Sequence, residues 1–195
     1  TLFTVYGGQR YVSIRINATD LAGNRITQTT IRSFYVKPPV VITVGPLGSG
    51  AEYTSIGKAV QAALPYSKII VFPGTYSEGI ITIDKPLSII SSEGMNLTIV
   101  KNSMFNVVAD NVNISGITLS KGSIGVSAFS VNNLILNSCN ITENTIGLLI
   151  MNSSVEIIGT EISWNTREGV AVYGSSKIWL RSSSVHSNGL PPSIA

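Results

Sequence analysis

The stretch Leu134-Ile-Leu-Asn-Ser-Cys-Asn-Ile-Thr-Glu-Asn144 decides how this chain folds, because it is answered twice further on. Val155-Glu-Ile-Ile-Gly-Thr-Glu-Ile-Ser-Trp-Asn165 and Ile178-Trp-Leu-Arg-Ser-Ser-Ser-Val-His-Ser-Asn188 repeat its pattern. In each, the apolar residues fall at the first, third and eighth positions and Asn closes the segment. Asn144, Asn165 and Asn188 are thus spaced by 21 and 23 residues. One period upstream, Val112, Ile114 and Leu119 keep the pattern with Gly122 in the Asn place. Between the segments lie further apolar pairs: Val126 and Ala128, Leu148 and Ile150, Val170 and Val172. Three period-two apolar runs in each unit of about 22 residues predict three short strands per coil, stacked as a solenoid. The expected fold is all-β, a right-handed single-stranded parallel β-helix, with regular coils from about residue 105.

Composition agrees with a stacked, uncharged core. Hydrophobic residues make up 44% and charged residues 12% of the 195, the latter about half the usual share. Ser, Thr and Asn supply the polarity and favour turns and outward strand positions. The net charge of +3 from 13 basic and 10 acidic residues is small, and no basic–aromatic interleaving occurs, so no nucleic-acid partner is expected. Residues 122–142 carry no charge, but they are rich in Ser, Thr and Asn, which argues against a membrane span. The single cysteine, Cys139, matches Ile117, Thr160 and Ser183 in repeat register and reads as a packed small residue rather than a nucleophile. No signal peptide is visible, and the absence of an initial Met points to an excised or processed fragment.

Residues 1–38 differ from the remainder. Tyr11 to Thr19 alternates as a strand, Asp20 to Asn24 reads as a turn, and Ile26 to Val36 as a second strand. Lys37-Pro38-Pro39 ends this unit, and residues 39–195 form the solenoid. Thr54-Ser55 precedes Ile56, Ala59, Val60, Ala63 and Leu64, spaced for one helical face over about 54–64. A helix there would cover the open end of the core and block edge-to-edge pairing.

Ala18-Thr-Asp-Leu-Ala-Gly-Asn24 resembles the turn between the last two strands of many bacterial and archaeal immunoglobulin-like surface modules, which implies a partial module reduced to a hairpin. From Val41 to Val100 the chain resembles the N-terminal part of pectin-lyase-like β-helices. The resemblance rests on Ile42-Thr-Val44, the glycine-rich loop 45–50, Tyr53-Thr-Ser-Ile56, Ile69 to Phe72, Pro73-Gly-Thr-Tyr-Ser-Glu78 and Ile83-Asp-Lys-Pro-Leu87. Gly74, Tyr76 and Glu78 match a G-x-Y-x-E motif of pectin methylesterases. Such a resemblance implies catalysis by carboxylates gathered on one face: paired aspartates with an arginine and glutamines in the esterases, acidic residues holding calcium in the lyases, and clustered aspartates in the hydrolases.

This chain departs from all three schemes. Beyond the hairpin its only aspartates are Asp84 and Asp110, and no glutamine follows Gln61. Glu143, Glu156, Glu161 and Glu168 fall in different columns of the repeat; Glu161 to Glu168 with Arg167 reads as a solvated corner, and Glu78 as part of the turn that starts the solenoid. The lone histidine, His186, reads as an exposed turn residue with no Ser or acidic partner in register. No catalytic residue, cofactor or metal site is therefore assigned.

The Asn144, Asn165 and Asn188 column reads as a structural ladder. Sequons at Asn17, Asn96, Asn113, Asn140 and Asn152 are glycosylation candidates, with Asn113 outward by parity. Trp164, Tyr173 and Trp179 are candidate carbohydrate or partner contacts; Trp179 is outward by register.

The expected function is a non-enzymatic extracellular module, structural or adhesive, of a larger cell-surface or filament-forming protein. Its partners would be other copies of itself or another surface protein, joined at the exposed strand edges of an uncapped solenoid end or of the N-terminal hairpin, with carbohydrate as a further candidate. The competing expectation is a polysaccharide-active esterase or lyase, or a carbohydrate-binding β-helix, whose catalytic coils lie outside residues 1–195.

Overall fold

The structure is a computed structural model. It describes residues 2–5, 11–15, 22–23, 32–35 and 39–189. The chain divides into two compact units, residues 1–38 and 39–195.

In the first unit, β1 (Leu2–Val5), β2 (Tyr11–Arg15) and β3 (Arg32–Tyr35) form an antiparallel sheet in that order. The expected hairpin is present as β2 against β3, with Tyr11 opposite Tyr35. A third strand, β1, pairs with β2 from Leu2 opposite Arg15 to Val5 opposite Val12, so two strands was an undercount. Most of the turn on which the immunoglobulin-like resemblance rests lies outside the described residues, as does Asn17.

The second unit is a parallel β-helix. Three sheets run along it, one for each run of the repeat. The first, β4 (Val41–Val44), β5 (Ser67–Val71), β8 (Leu87–Ser91), β11 (Val112–Ser115), β14 (Leu134–Asn137), β17 (Ser154–Ile158) and β20 (Lys177–Arg181), buries the Leu134/Leu136 positions. The second, β6 (Gly74–Tyr76), β9 (Thr98–Lys101), β12 (Thr118–Ser120), β15 (Asn140–Thr142), β18 (Glu161–Ser163) and β21 (Ser184–His186), buries the Ile141 position. The third comprises β7 (Gly79–Ile83), β10 (Ser103–Val107), β13 (Ile124–Phe129), β16 (Ile146–Met151) and β19 (Glu168–Tyr173). Residues one coil apart pair in parallel register: Leu134 with Val155, and Val155 with Ile178.

Parallel stacking begins at β4, where Val41 pairs with Lys68, earlier than the regular pattern indicates. Ser67 already pairs with Leu87 and Ser88 with Asn113. These steps of 20 and 25 residues hide the repeat, and the Asn corner is missing there. The helix α1 (Ile56–Ala62) is capped by Ser55, whose hydroxyl accepts from the Lys58 amide. Ile56, Ala59 and Val60 are buried, packed on β4, β5 and β7 at the N-terminal end of the core.

A parallel coil has one structural weakness. Its strands satisfy one another, but amides at the corners point along the axis with no strand opposite. All three corners meet this in one way. Between the second and third sheets, Asn144 Oδ1 accepts from the Gly122 amide, Asn165 Oδ1 from Asn144, and Asn188 Oδ1 from Asn165, at 2.9, 3.0 and 3.0 Å. Their Nδ2 groups donate to Leu119, Ile141 and Ile162 carbonyls in the coil before. Between the first and second sheets, the Cys139 amide donates to Thr160 Oγ1 and the Thr160 amide to Ser183 Oγ. Between the third and first, the Val131 amide donates to Ser153 Oγ and the Ser153 amide to Ser176 Oγ. Each coil thus satisfies the corners of the coil before it.

The Asn ladder needs space, and Gly125, Gly147 and Gly169 provide it. A Cβ on Gly147 would stand 2.5 Å from the Gly169 carbonyl oxygen and 2.9 Å from Asn165 Nδ2. Asn165 is not free to move, being held by the ladder on both sides. Gly147→Ala is therefore expected to cost about 1–3 kcal/mol of overpacking strain, read as a lower urea midpoint with unchanged slope; an unaltered midpoint would refute the crowding.

Candidate functional site

The motif that most suggests chemistry serves the fold. Glu78 reaches the start of α1, where its carboxylate accepts from the Ile56 amide at 2.6 Å, the Gly57 amide at 2.8 Å and the Ser55 hydroxyl at 2.6 Å. These amides are the ones a helix cannot satisfy internally, and a negative charge suits that end. Glu78's own amide donates to Ser103 Oγ. The neighbouring Tyr76 donates its hydroxyl to the Phe72 carbonyl at 2.7 Å; burial, and then the charge of Glu78, raises its phenol above the usual range. Both functional groups of the G-x-Y-x-E motif are thus occupied internally.

Among the other carboxylates, those with partners are engaged separately. Asp84 pairs with Lys85, Glu143 with Lys121, Glu156 with Arg181 and Glu168 with Arg167. Asp110 accepts from the Asn132 amide at 2.6 Å. Among the described residues, no group of three His, Cys, Asp or Glu side chains is placed to hold a metal ion.

His186 differs from its expected position. It ends β21 rather than lying in a turn, and it has both partners that the sequence reading denied it. Ser163 is its register partner, and Glu161 Oε1 lies 3.3 Å from its Nε2. Glu161 also departs from the expected solvated corner: it begins β18 and accepts from Ser163 Oγ at 2.9 Å. Ser163 is 1% exposed, so this trio holds no accessible nucleophile.

Cys139 sits within the hydroxyl ladder. Its thiol contacts the Ile114 and Asn137 carbonyls, equivalent to the two that Thr160 Oγ1 reaches one coil later, Leu136 and Ile158. Burial pushes the thiol up to about 11, the opposite of an activated nucleophile.

The sequons divide by location. Asn96 and Asn152 are exposed, the latter at a left-handed corner with its Oδ1 accepting from the Ser175 amide. Asn113 faces outward as parity requires, but it and Asn140 lie within β11 and β15, half-buried, each with a buried Oδ1 that has no hydrogen-bond partner. The three aromatics do not form one platform. Trp164 stands at the corner after β18, Tyr173 ends β19 in the third sheet, and Trp179 is central in β20 of the first.

The outer face of the second sheet carries a shallow groove of about 310 Å³. Thr75, Ile99, Lys101, Thr118, Ser120, Lys121, Thr142 and Glu143 line it. No signal in the sequence grouped these residues, because they come from four successive coils.

Comparison with known proteins follows the architecture. No family model matches the chain, and no curated protein does. Solved structures do: a pectin methylesterase in complex with hexasaccharide VII has a TM-score of 0.66 at 10% identity, covering 78% of this chain and 57% of its own. The chain shares the parallel β-helix fold of these proteins. The pectin methylesterase from Aspergillus niger has a TM-score of 0.55 at 18% identity, covering 78% of this chain and 58% of that one. Pectate lyase Pel9A has 0.59 at 15%, covering 82% and 57%. At these identities the likeness is one of fold. The β-helix spans less than two thirds of each of these structures.

Removing the Glu78 carboxylate leaves the Ile56 and Gly57 amides without their acceptor. Glu78→Ala is expected to lower stability by about 1–3 kcal/mol, and Glu78→Gln, which keeps an acceptor oxygen, by less. The check is chemical denaturation of both variants. Equal stability of all three proteins would show that the carboxylate is not the cap.

Proposed function

We propose that this chain is a non-catalytic scaffold segment, structural or adhesive, of an extracellular protein. The observation that carries the proposal is that carboxylates which could do chemistry are held in separate partnerships: Glu78 by the first amides of α1, Asp84 by Lys85, Glu143 by Lys121, Glu156 by Arg181 and Glu168 by Arg167. Among the described residues no helix is long and apolar enough to cross a membrane.

The partner is proposed to be another copy or another surface protein. Sedimentation is expected to show association at micromolar concentration; a monomer at that concentration would overturn the self-assembly proposal. Release of methanol or of unsaturated product from pectin would overturn the non-catalytic one. A second reading is favoured by the fold likeness: a polysaccharide-acting β-helix, esterase or lyase, whose catalytic coils lie outside residues 1–195. Two aspartates and an arginine in register on one face of adjoining coils would favour it.

Extracellular location is proposed together with glycosylation. Of the described sequons, Asn96 and Asn152 present accessible amides, whereas Asn113 and Asn140 are held within strands. After secretion from a host that attaches N-linked sugars, peptide mapping is expected to find Asn96 occupied and Asn113 bare. The reverse order would contradict this accessibility argument.

A further inference from the structure

Outward side chains of the first sheet form two lines along the solenoid axis. One runs from Val41 through Lys68, Asn113, Ile135 and Glu156 to Trp179. The other carries Ile70, Ile90, Ile158 and Arg181. The four isoleucines point away from the core and are half-buried. Val41 on β4 and Trp179 on β20 are 61% and 47% exposed. An apolar face of this kind marks a contact surface. The charges on the two lines are Lys68, Glu156 and Arg181. Glu156 meets Arg181 at 3.0 Å, whereas Lys68 has no ion-pair partner among the described residues. Asn113 lies on β11, three strands from β4 and three from β20. Its Oδ1 is buried without a hydrogen-bond partner.

We infer that this face pairs with the same face of a second copy, about a two-fold axis lying in the interface along β11. The inference rests on the proposal that the chain associates with other copies, and it names the surface. Such an axis keeps the strand direction and reverses the order of the coils, so each line meets itself. Lys68 then faces Glu156 of the second copy, Val41 faces Trp179 and Ile70 faces Ile158, and symmetry makes each contact twice. Coils are evenly spaced by about 4.8 Å, so matching one strand matches the others.

Asn113 meets its own mate on the axis. A primary amide carries both donors and an acceptor, so two amides, each turned outward, satisfy one another. A shift of one strand would leave both unpaired, so this contact also fixes the register. The other two-fold that could join the faces runs along the solenoid. It would exchange the two lines and set Lys68 against Ile70 of the second copy, leaving a desolvated charge without a partner. Seven strands at that spacing, each about 15 Å long, offer roughly 500 Å² per copy. The total of about 1,000 Å² stands at the lower limit of specific interfaces, in keeping with a micromolar dimer.

Sedimentation of the intact chain, with the two charges exchanged, tests the surface. The parent is expected to dimerise at micromolar concentration. Lys68→Glu and Glu156→Lys each set like charges opposite one another and are expected to weaken the dimer at least tenfold. The two changes combined restore opposite charges and are expected to return the dissociation constant to within about threefold of the parent. That recovery also separates lost contact from lost folding. Tyr173→Ser, on the third sheet, should leave the dimer within twofold. A monomeric parent would overturn self-association and this surface together. A dimer that survives either single reversal, or that the combined variant does not regain, would overturn this surface and leave self-association standing.

Discussion

Backbone amides at the corners govern this molecule. Strand amides in a parallel coil find carbonyls in the adjacent coil, but the corner amides point along the axis with nothing opposite. Leaving one buried and unpaired costs about 1–3 kcal/mol, and each coil has three corners. Asn144, Asn165 and Asn188 solve it at one corner, Thr160 and Ser183 at the second, Ser153 and Ser176 at the third. The acceptor comes in each case from the following coil. The solenoid therefore has a direction: the corner amides of one coil are completed by side chains of the next.

The same constraint determines where chemistry has room. Core and corner columns are occupied by the demands of packing and amide pairing, so only outward columns can vary. The described carboxylates are spread over these columns and over the turns, and those that are paired have different partners. Glu78 is the clearest case. A residue that fits an esterase motif is held by two helix amides and a serine hydroxyl, and its position in the motif follows from the distance between the first turn of the solenoid and α1.

Much of the fold was legible because the repeat is a local signal. Apolar alternation marks strands, and Asn every 21 to 23 residues marks one corner. Cys139 could be placed among Thr160 and Ser183 by counting alone, and it keeps the same type of carbonyl contacts. The earlier coils were hidden because their steps of 20 and 25 residues follow turn length rather than repeat. The partners of His186 were missed for a related reason. Glu161 and Ser163 lie 25 and 23 residues before it, and a neighbour at that range is defined only when the intervening turns are known.

By itself, then, the sequence determined the coil, its inward positions and the asparagine corner, since these depend on side-chain periodicity and corner hydrogen bonding repeated in kind. Only the tertiary structure decided which outward residues meet. It paired Glu161 with His186, gave Glu78 to the helix, separated Trp164, Tyr173 and Trp179, and gathered hydroxyls from successive coils into one groove. The physical reason is that coil-to-coil contact depends on the length of every intervening turn. One residue more in a turn alters an outward neighbour while leaving the apolar alternation within each strand unchanged.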